Sequence, residues 1–492
     1  MTVTQLPIVP LFIKGQKTVP NNSSTYQVRS PTGKVLSHVV SASSSDAKAA
    51  IEVAQAAFDS WRTLPPIAKE TIFRRAITVF SNPDLRAKIT ETAHQETGVS
   101  KPWADILNYY VDSAFSEACD TVYSLRGEVL PSNSGALASI VQKVPYGVIF
   151  IISPWNAPVT LTLLSCLPAI AAGNTVVLKT SECSPASQLI VADILKEAGL
   201  PDGVFNVIHT SPEDSPSRVA EIIAHPLVRK IGFTGSERVG KIIAGEAAKH
   251  LKPCVLELGG KAPAIVLNDA NIDAAARGII SGAFVHSGQA CIGTERVIVQ
   301  RGASVQFIEK IKSLASKIKA SDQSQDPRAQ LGCVFSVGSA QNIISMVKEA
   351  IASGAELLHG DLKYDGPLVQ PHIVLGAKPG TRLWDRESFG PVFTVAIVDT
   401  IDQAVNLANS STYSLTSSLW TESYDLAFTL SPRIRAGKVI VNSTTLMSES
   451  RFSQAALGGS SGYGSFSPGE FVVNQLLSIH KPEGQRFIVA DY

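Results

Sequence analysis

Short apolar runs alternate with amphipathic stretches through the middle of the chain. Runs of strand length lie at 147–153, 174–180, 204–210, 228–235 and 253–260, and helical stretches lie near 158–172, 184–198, 216–224 and 236–249. Strands that are buried on both faces lack polar alternation, and their regular alternation with helices predicts a doubly wound parallel sheet. Such sheets bind ligands beyond the carboxyl ends of their strands, so we expect functional residues there.

Periodic patterns also occupy the rest of the chain. Residues 44–60 have the spacing of an amphipathic helix, and further helix is predicted to about residue 122. Beyond the first sheet, the sequence predicts a helix over 270–287 and strands over 294–300 and 438–442. We therefore expect an α/β protein with a second α/β unit after the first.

Residues 126–146 differ in character from the helices before them. The stretch "SNSG" (132–135) is typical of the turn of an exposed β-hairpin. Two interpretations fit such a hairpin: it pairs with another subunit, or it is a plain surface ribbon. The tail, residues 471–492, is partly strand-like.

Composition excludes several classes of function. The 492 residues include 43 Lys and Arg against 42 Asp and Glu, a net charge of +1, which argues against a nucleic-acid partner bound by charge. No apolar run reaches the length of a membrane span, and the start of the chain lacks the pattern of a signal peptide. Six dispersed cysteines without a CxxC pair predict neither a disulfide framework nor a metal site. We expect a cytoplasmic protein with no membrane partner.

A glycine-rich stretch follows the fourth predicted strand. Gly235, Gly240 and Lys241 have the spacing of a Walker A loop, but Ile242 replaces the Ser or Thr that holds magnesium. A dinucleotide phosphate needs no such metal, because small residues and free N–H groups at a helix start accept it directly. Ser236 adds a hydroxyl there, so we favour a dinucleotide over ATP.

Lys179 and Glu182 follow the second predicted strand. A Glu at this place accepts hydrogen bonds from an adenosine ribose and repels a 2′-phosphate. In isolation, a solvated surface pair would be the favoured interpretation of the two residues.

Three polar residues have the chemistry that nucleophilic catalysis needs. Cys291 lies in a glycine-flanked loop, Glu257 ends an apolar strand, and Asn156 follows another strand. Burial would raise the pKa of Glu257 toward that of a general base, and the Asn156 amide could donate to an oxyanion. A lone cysteine is more often inert, so none of the three is decisive alone.

Together with their surroundings, these residues resemble the aldehyde dehydrogenase superfamily over nearly the whole chain. The motifs "SPWNAP", "GNTVVLKTSE", "FTGSERVG", "LELGGKAP", "GQACI", "ESFGPV", "GKVIVN" and "GGSSGYG" occur in the order of that family. Within that family, the motifs are most similar to those of the salicylaldehyde and vanillin dehydrogenases, which act on aromatic aldehydes.

The resemblance implies a role for each residue. Cys291 attacks the aldehyde, Asn156 and the Cys291 amide stabilise the oxyanion, and Glu257 activates the water that releases the acid. NAD, which Glu182 favours over NADP, would be held by Ile152, Ser153, Trp155, Lys179, Glu182, Gly235, Ser236, Leu258, Gly259, Glu387 and Phe389. A hydrophobic or aromatic aldehyde would contact Ala157, Leu161, Leu164, Ile292 and Tyr110.

The resemblance also implies a division into parts. An NAD-binding domain would comprise 1–123 and 145–255, and a catalytic domain 256–445. The hairpin 124–144 and the tail 471–492 would form an oligomerisation element of a homodimer or homotetramer. Residues 446–470 would connect the parts near the substrate mouth.

Two departures leave alternatives open. The segment "ALGGSSGYG" (456–464) is two residues shorter than is usual in the family, and His286 replaces a common Asn. We interpret His286 as structural rather than catalytic, and the alternative is that it tunes the Cys291 thiolate. A CoA-acylating or NADP-preferring enzyme, or a non-catalytic protein on the same fold, remains the alternative.

Overall fold

The computed structural model describes residues 6–132, 136–323, 326, 328–448 and 455–481. Its helices are α1 (Ser44–Thr63), α2 (Pro66–Phe80), α3 (Pro83–Thr97), α4 (Lys101–Ser124), α5 (Pro158–Ala171), α6 (Pro185–Glu197), α7 (Ser215–Ala224), α8 (Glu237–Lys249), α9 (Ile272–Phe284), α10 (Arg301–Ala315), α11 (Val337–Ala352), α12 (Arg382–Asp385), α13 (Ile401–Ala408) and α14 (Tyr424–Leu430). Its strands are β1 (Ile8–Val9), β2 (Leu11–Ile13), β3 (Gln16–Thr18), β4 (Thr25–Arg29), β5 (Val35–Val40), β6 (Glu128–Leu130), β7 (Ala138–Pro145), β8 (Val148–Ile152), β9 (Thr175–Lys179), β10 (Phe205–Ile208), β11 (Val228–Thr234), β12 (Cys254–Glu257), β13 (Ala262–Val266), β14 (Thr294–Gln300), β15 (Glu356–His359), β16 (Tyr364–Asp365), β17 (Leu368–Val369), β18 (His372–Leu375), β19 (Val392–Val398), β20 (Thr416–Trp420), β21 (Lys438–Val441), β22 (Gly462–Tyr463) and β23 (Val472–Ile479).

The largest sheet has the strand order β22-β12-β11-β8-β9-β10-β2-β3. Its five central strands are parallel and are the five predicted apolar runs, with α5 to α8 between them. The chain builds outward from β8 to β10 and then returns to β11 on the other side of β8, which creates a crevice at the carboxyl ends. The predicted α/β fold class is confirmed. The antiparallel strands at the edges, β2, β3 and β22, were not predicted.

Both faces of this sheet are covered. Along β8, Ile149 and Ile151 pack into one apolar cluster, whereas Phe150 and Ile152 pack into another on the opposite face. This two-sided burial explains why the strand sequences are continuously apolar.

A second sheet, of order β15-β18-β19-β14-β13-β20-β21, follows in the chain. All of its pairings are parallel except that of β15 with β18. This is the predicted second α/β unit.

The predicted hairpin and tail form a three-stranded sheet in the order β23-β7-β6, in which β23 is largely exposed. Residues 133–135 of the predicted turn and residues 482–492 of the tail lie outside the described residues. The buried side chain of Asn174 joins this sheet to the large one. It accepts a hydrogen bond from the Gly147 amide (3.0 Å) and donates to the Phe471 carbonyl (2.9 Å).

Within the described ranges, the structure has no helix that is both long and apolar enough to cross a membrane. The small remaining sheets are β1-β5-β4 and β16-β17.

Candidate active site

The carboxyl ends of four neighbouring strands meet at one edge of the large sheet. Lys179 of β9 pairs with Ile152 of β8, which also pairs with Phe233 of β11. On the far side of β11, Thr234 pairs with Glu257 of β12. The predicted cofactor residues on or just after these strands are Ile152, Ser153, Trp155, Lys179, Glu182, Gly235, Ser236, Leu258 and Gly259. The structure therefore brings these residues to one crevice.

Helix α8 begins at this crevice and offers its N-terminus to an anion. The Ser236 hydroxyl caps the helix by accepting a hydrogen bond from the Val239 amide (3.4 Å). A Cβ at Gly235 would lie 2.5 Å from the Phe233 ring, so a side chain there would collide with it. The free N–H groups of the first turn and the helix dipole suit a phosphate.

Two further observations fit a dinucleotide rather than ATP. Lys241 points to solvent, with 72% of its side chain exposed, and pairs with Glu237 on the same helix (2.6 Å). The Thr234 hydroxyl, just before Gly235, is buried and has no hydrogen-bond partner among the described residues. Lys241 is therefore an ordinary helix lysine and not a phosphate ligand, and Thr234 carries an unsatisfied polar atom at the end of β11.

Lys179 and Glu182 form an ion pair at the end of β9. The Lys179 ammonium donates to Glu182 Oε1 (2.6 Å) and to the Thr180 carbonyl (3.0 Å). Burial raises the pKa of Glu182, but the charge and hydrogen bond of Lys179 outweigh it and hold the pKa below its usual value. The ionised carboxylate suits ribose hydroxyls and opposes a phosphate.

A buried ion pair fixes the loop that carries Glu387 and Phe389. Glu295 of β14 pairs with Lys261 and also accepts hydrogen bonds from the Ser388 amide (2.9 Å) and the Phe389 amide (3.3 Å). Phe389 has a φ of +49°, a left-handed backbone that is strained for a bulky residue. The Glu295 carboxylate therefore holds this backbone in place.

The same loop brings Glu387 to the end of β12. Its Oε1 accepts a hydrogen bond from the Gly260 amide (2.8 Å), and a Cβ at Gly259 would lie 2.5 Å from its other oxygen. Burial, followed by the charge of Glu295, raises the pKa of Glu387 to about 8.

Aromatic rings connect this loop to the residues after β8. The Trp155 ring stacks on Phe335, with centroids 4.4 Å apart, and meets Phe389 edge to face at 5.9 Å. Both predicted aromatic residues thus belong to one cluster that also contains Phe335.

The loop before Cys291 has a left-handed backbone. His286, Ser287 and Gly288 have φ values of 52°, 55° and 75°, so α9 ends at Phe284 and the helix predicted to residue 287 was too long. The side chain of Gln289 stabilises the turn. Its Nε2 donates a hydrogen bond to the Cys333 carbonyl (3.2 Å), and its Oε1 accepts one from the Phe335 backbone amide (2.6 Å).

Cys291 faces a cavity of about 670 Å³ that contains all three predicted catalytic residues. The described lining includes Asn156, Glu257 and Cys291, the five predicted substrate residues Ala157, Leu161, Leu164, Ile292 and Tyr110, and the apolar or aromatic side chains Trp103, Leu107 and Phe466. Glu117 and Asp120 add negative charge, and the described lining holds no Lys or Arg. An anionic substrate would therefore find no cation on this wall.

A hydrogen bond to the loop before Cys291 fixes the orientation of the Asn156 side chain. Its Nδ2 donates a hydrogen bond to the Gln289 carbonyl (3.0 Å), two residues before Cys291. Because a side-chain amide carries two N–H donors, this bond fixes the group and leaves the second donor for a substrate oxygen.

Burial dominates the electrostatics of the catalytic residues. It raises the pKa of Glu257 to about 8, which a positive charge on Lys438 opposes. Burial, followed by the charges of Glu257 and Glu387, raises the pKa of the Cys291 thiol to about 12, and Lys438 again acts in the opposite direction. A general base near neutral pH is thus present, whereas the thiolate is disfavoured.

His286 lies beneath this site rather than in it. The ring is buried between Trp103 and Trp155, at centroid distances of 6.5 Å and 6.2 Å. Burial lowers its pKa to about 4, so the ring is neutral near pH 7 and has no charge with which to stabilise a thiolate.

The unusual segment "ALGGSSGYG" lies against the strand that ends in Glu257. Its strand β22 pairs with β12, so that Gly462 is the partner of Glu257. The Ser461 hydroxyl donates to the Gly259 carbonyl (2.7 Å). The segment supports the strand end, and Phe466 and Pro468 beyond it line the cavity.

Sequence reasoning missed the residues that support the site: Lys261, Gln289, Glu295, Phe335 and Lys438. Glu295 and Lys438 each lie in an apolar strand, and a charge in that position was an available signal. Phe335 had no comparable signal.

The profile of the aldehyde dehydrogenase family matches residues 18–479. The chain is 39% identical over 462 residues to a vanillin dehydrogenase from Pseudomonas sp. (strain HR199 / DSM 7063), covering 93% of this chain and 94% of the relative. It is 34% identical over 472 residues to a salicylaldehyde dehydrogenase from Pseudomonas sp. (strain C18), covering 95% and 96%.

A solved structure has the same fold. A salicylaldehyde dehydrogenase from Pseudomonas putida G7, in complex with salicylaldehyde, superposes with a TM-score of 0.94 at 31% identity, covering 98% of this chain and all of that one.

The buried Glu295 pair should be necessary for stability. Glu295→Gln leaves Lys261 buried without its counter-charge, and we expect a loss of about 3 kcal/mol in the free energy of unfolding, measured with urea. Asp399→Asn, which breaks an exposed pair with Arg301, is the control and should cost less than about 1 kcal/mol. Equal effects of the two changes would contradict this assignment.

Glu257 should destabilise the folded chain when it ionises. Its folded pKa of about 8 exceeds the ordinary 4.5, so stability from the protonated form is lost as pH rises between these values. The free energy of unfolding of Glu257→Gln should therefore rise relative to that of wild type across this window. The difference should be on the order of 3 kcal/mol at pH 9 and small at pH 4. Thermal melts across pH, with exposed Glu422→Gln as control, measure the difference, and a constant difference would refute it.

Proposed function

The chain belongs to the aldehyde dehydrogenase family, and we propose that it oxidises a hydrophobic or aromatic aldehyde to the carboxylic acid with NAD. The observation that carries the proposal is the apolar cavity lined by Asn156, Glu257 and Cys291. It opens beside strand ends whose groups fit a dinucleotide. Family members use NAD or NADP.

In the proposed mechanism, the Cys291 thiol releases its proton to solvent and its sulfur forms a bond to the aldehyde carbon, while the π bond of the carbonyl breaks and its electron pair moves to the oxygen. The carbonyl oxygen takes up negative charge, which the Asn156 amide and the Cys291 backbone N–H stabilise. A nicotinamide cofactor held at the neighbouring strand ends would supply the acceptor for the hydride that this carbon loses, and Cys291 would then carry the substrate as a thioester.

Glu257 completes the reaction. Its carboxylate removes a proton from water, which attacks the thioester carbon, and the C–S bond breaks to give the acid and the free cysteine. A pKa of about 8 lets Glu257 exchange this proton near neutral pH.

The substrate class rests on the cavity wall and on the relatives. The wall is mainly apolar and aromatic and lacks a cation among its described residues. The relatives named above are dehydrogenases of vanillin and salicylaldehyde, both aromatic aldehydes. A small charged aldehyde would leave most of this surface uncovered.

We also propose that the sheet β23-β7-β6 mediates a homodimer or homotetramer. Its exposed apolar side chains are Val129, Leu130, Val473, Leu476, Leu477 and Ile479. An apolar ribbon with an open edge is a surface that another subunit can cover.

The mechanism is tested by substitution at the two reacting groups. Cys291→Ala should lower kcat by more than about a thousandfold. Glu257→Gln should slow steady-state turnover by about a hundredfold but retain a burst of one NADH per active site, because only thioester hydrolysis is blocked. NADH absorbance and intact-protein mass measure both effects, and the buried Cys119→Ala is the matched control.

The same assay tests the substrate class. Benzaldehyde should exceed succinic semialdehyde by about tenfold or more in kcat/KM, since the wall offers the carboxylate no cation. Equal values would overturn the aromatic assignment, and acyl-CoA formed on adding CoA would overturn hydrolysis by Glu257.

Glu182 should set the preference for NAD. Wild type should have a higher kcat/KM with NAD than with NADP. Glu182→Ser should lower the ratio of these two values by about tenfold, because the variant removes the carboxylate that repels the 2′-phosphate and leaves Lys179 to attract it. Glu213→Ser, on an exposed loop nearby, is the control. A wild-type enzyme that prefers NADP would refute the assignment.

A further inference from the structure

Lys438 is a buried lysine that the proposed mechanism does not use. It begins β21, where it pairs with Thr416 of β20, and only 9% of its surface is exposed. Lysine is rarely buried to this extent, because removing an ammonium from water is costly without an anion nearby.

The hydrogen bonds of Lys438 place its ammonium directly behind the wall of the catalytic cavity, next to a residue of the lining. It donates to the Ser448 hydroxyl (3.2 Å) and, more weakly, to the Met447 carbonyl (3.5 Å). Ser448 and its neighbour Leu446 line the cavity together with Cys291 and Glu257. The acceptors are neutral, so they satisfy the N–H groups without balancing the charge.

The acids whose charges act on Lys438 are Cys291 and Glu257. Burial lowers the pKa of Lys438, and the charges of these two groups raise it. The influence is mutual, because Lys438 lowers the pKa of both. The other charged group that acts on Cys291 is Glu387, which opposes ionisation.

We propose that Lys438 is a positioning residue that supplies the buried positive charge for the Cys291 sulfur and the Glu257 carboxylate. The inference rests on the proposed function and adds to it the group that balances charge in the cavity. Cys291 and Glu257 line the cavity, and Glu387 is a further buried acid whose charge acts on Cys291. A thiolate that forms there meets two carboxyl groups, and Lys438 offsets them across the cavity wall.

Alkylation of Cys291 by iodoacetamide tests the proposal without aldehyde or cofactor. The rate is measured from pH 6 to 10, with Cys291 identified by peptide mass spectrometry. Lys438→Met should slow alkylation by about tenfold at pH 8 and move the profile to higher pH, because less thiolate is present. Lys438→Arg retains the charge and should recover most of the rate.

Lys69→Met is the matched control, because Lys69 is also buried but lies in α2, away from the cavity, with its ammonium over the Trp61 ring. It should leave the profile unchanged. If Lys438→Met does not fold, Lys438→Gln, which keeps a donor for Ser448, serves the same comparison.

An unchanged profile in a folded Lys438 variant that lacks the charge overturns the proposal. So does equal slowing by Lys438→Arg and Lys438→Met, since that result indicates a loss of packing. A shifted profile in a protein that oxidises no aldehyde would support the role of Lys438 and refute the proposed function. In an active enzyme, kcat should fall while KM stays near that of wild type.

Discussion

The ion pair between Lys261 and Glu295 is the interaction on which the site depends. Lys261 immediately precedes β13, and Glu295 lies at the start of β14, so the pair lies between two neighbouring strands of the second sheet. The same carboxylate holds the loop of Glu387 and Phe389. Glu387 of this loop accepts a hydrogen bond from the Gly260 amide just after β12. The buried pair therefore positions a loop of the second sheet against the strand end of the large one.

Much of the fold was predictable because apolar runs and helical periods are local signals. The clustering of the residues that follow the parallel strands was also predictable, because parallel strands in one sheet bring their carboxyl ends to the same edge. The left-handed turn at His286 was not, because the contacts of Gln289 with Cys333 and Phe335 override helix periodicity. Glu295 was missed because its role depends on Ser388, far away in the chain.

The site holds ionisable groups in surroundings that disfavour their charged forms. Glu257 and Glu387 are both held with a raised pKa, and the thiol of Cys291 is harder to ionise than in water. The folded chain would be more stable if apolar side chains replaced these groups. This opposition between stability and activity is expected where a reaction needs a base and a nucleophile away from solvent.

The pairing of β22 with β12 has a consequence for synthesis on the ribosome. Until Gly462 emerges, the strand that carries Glu257 is an unpaired edge of the nascent sheet. Such an edge can recruit strands from other chains, and the exposure lasts while about two hundred residues are translated. The chain should therefore complete the strand environment of Glu257 only near the end of translation, and premature termination would yield an aggregation-prone chain.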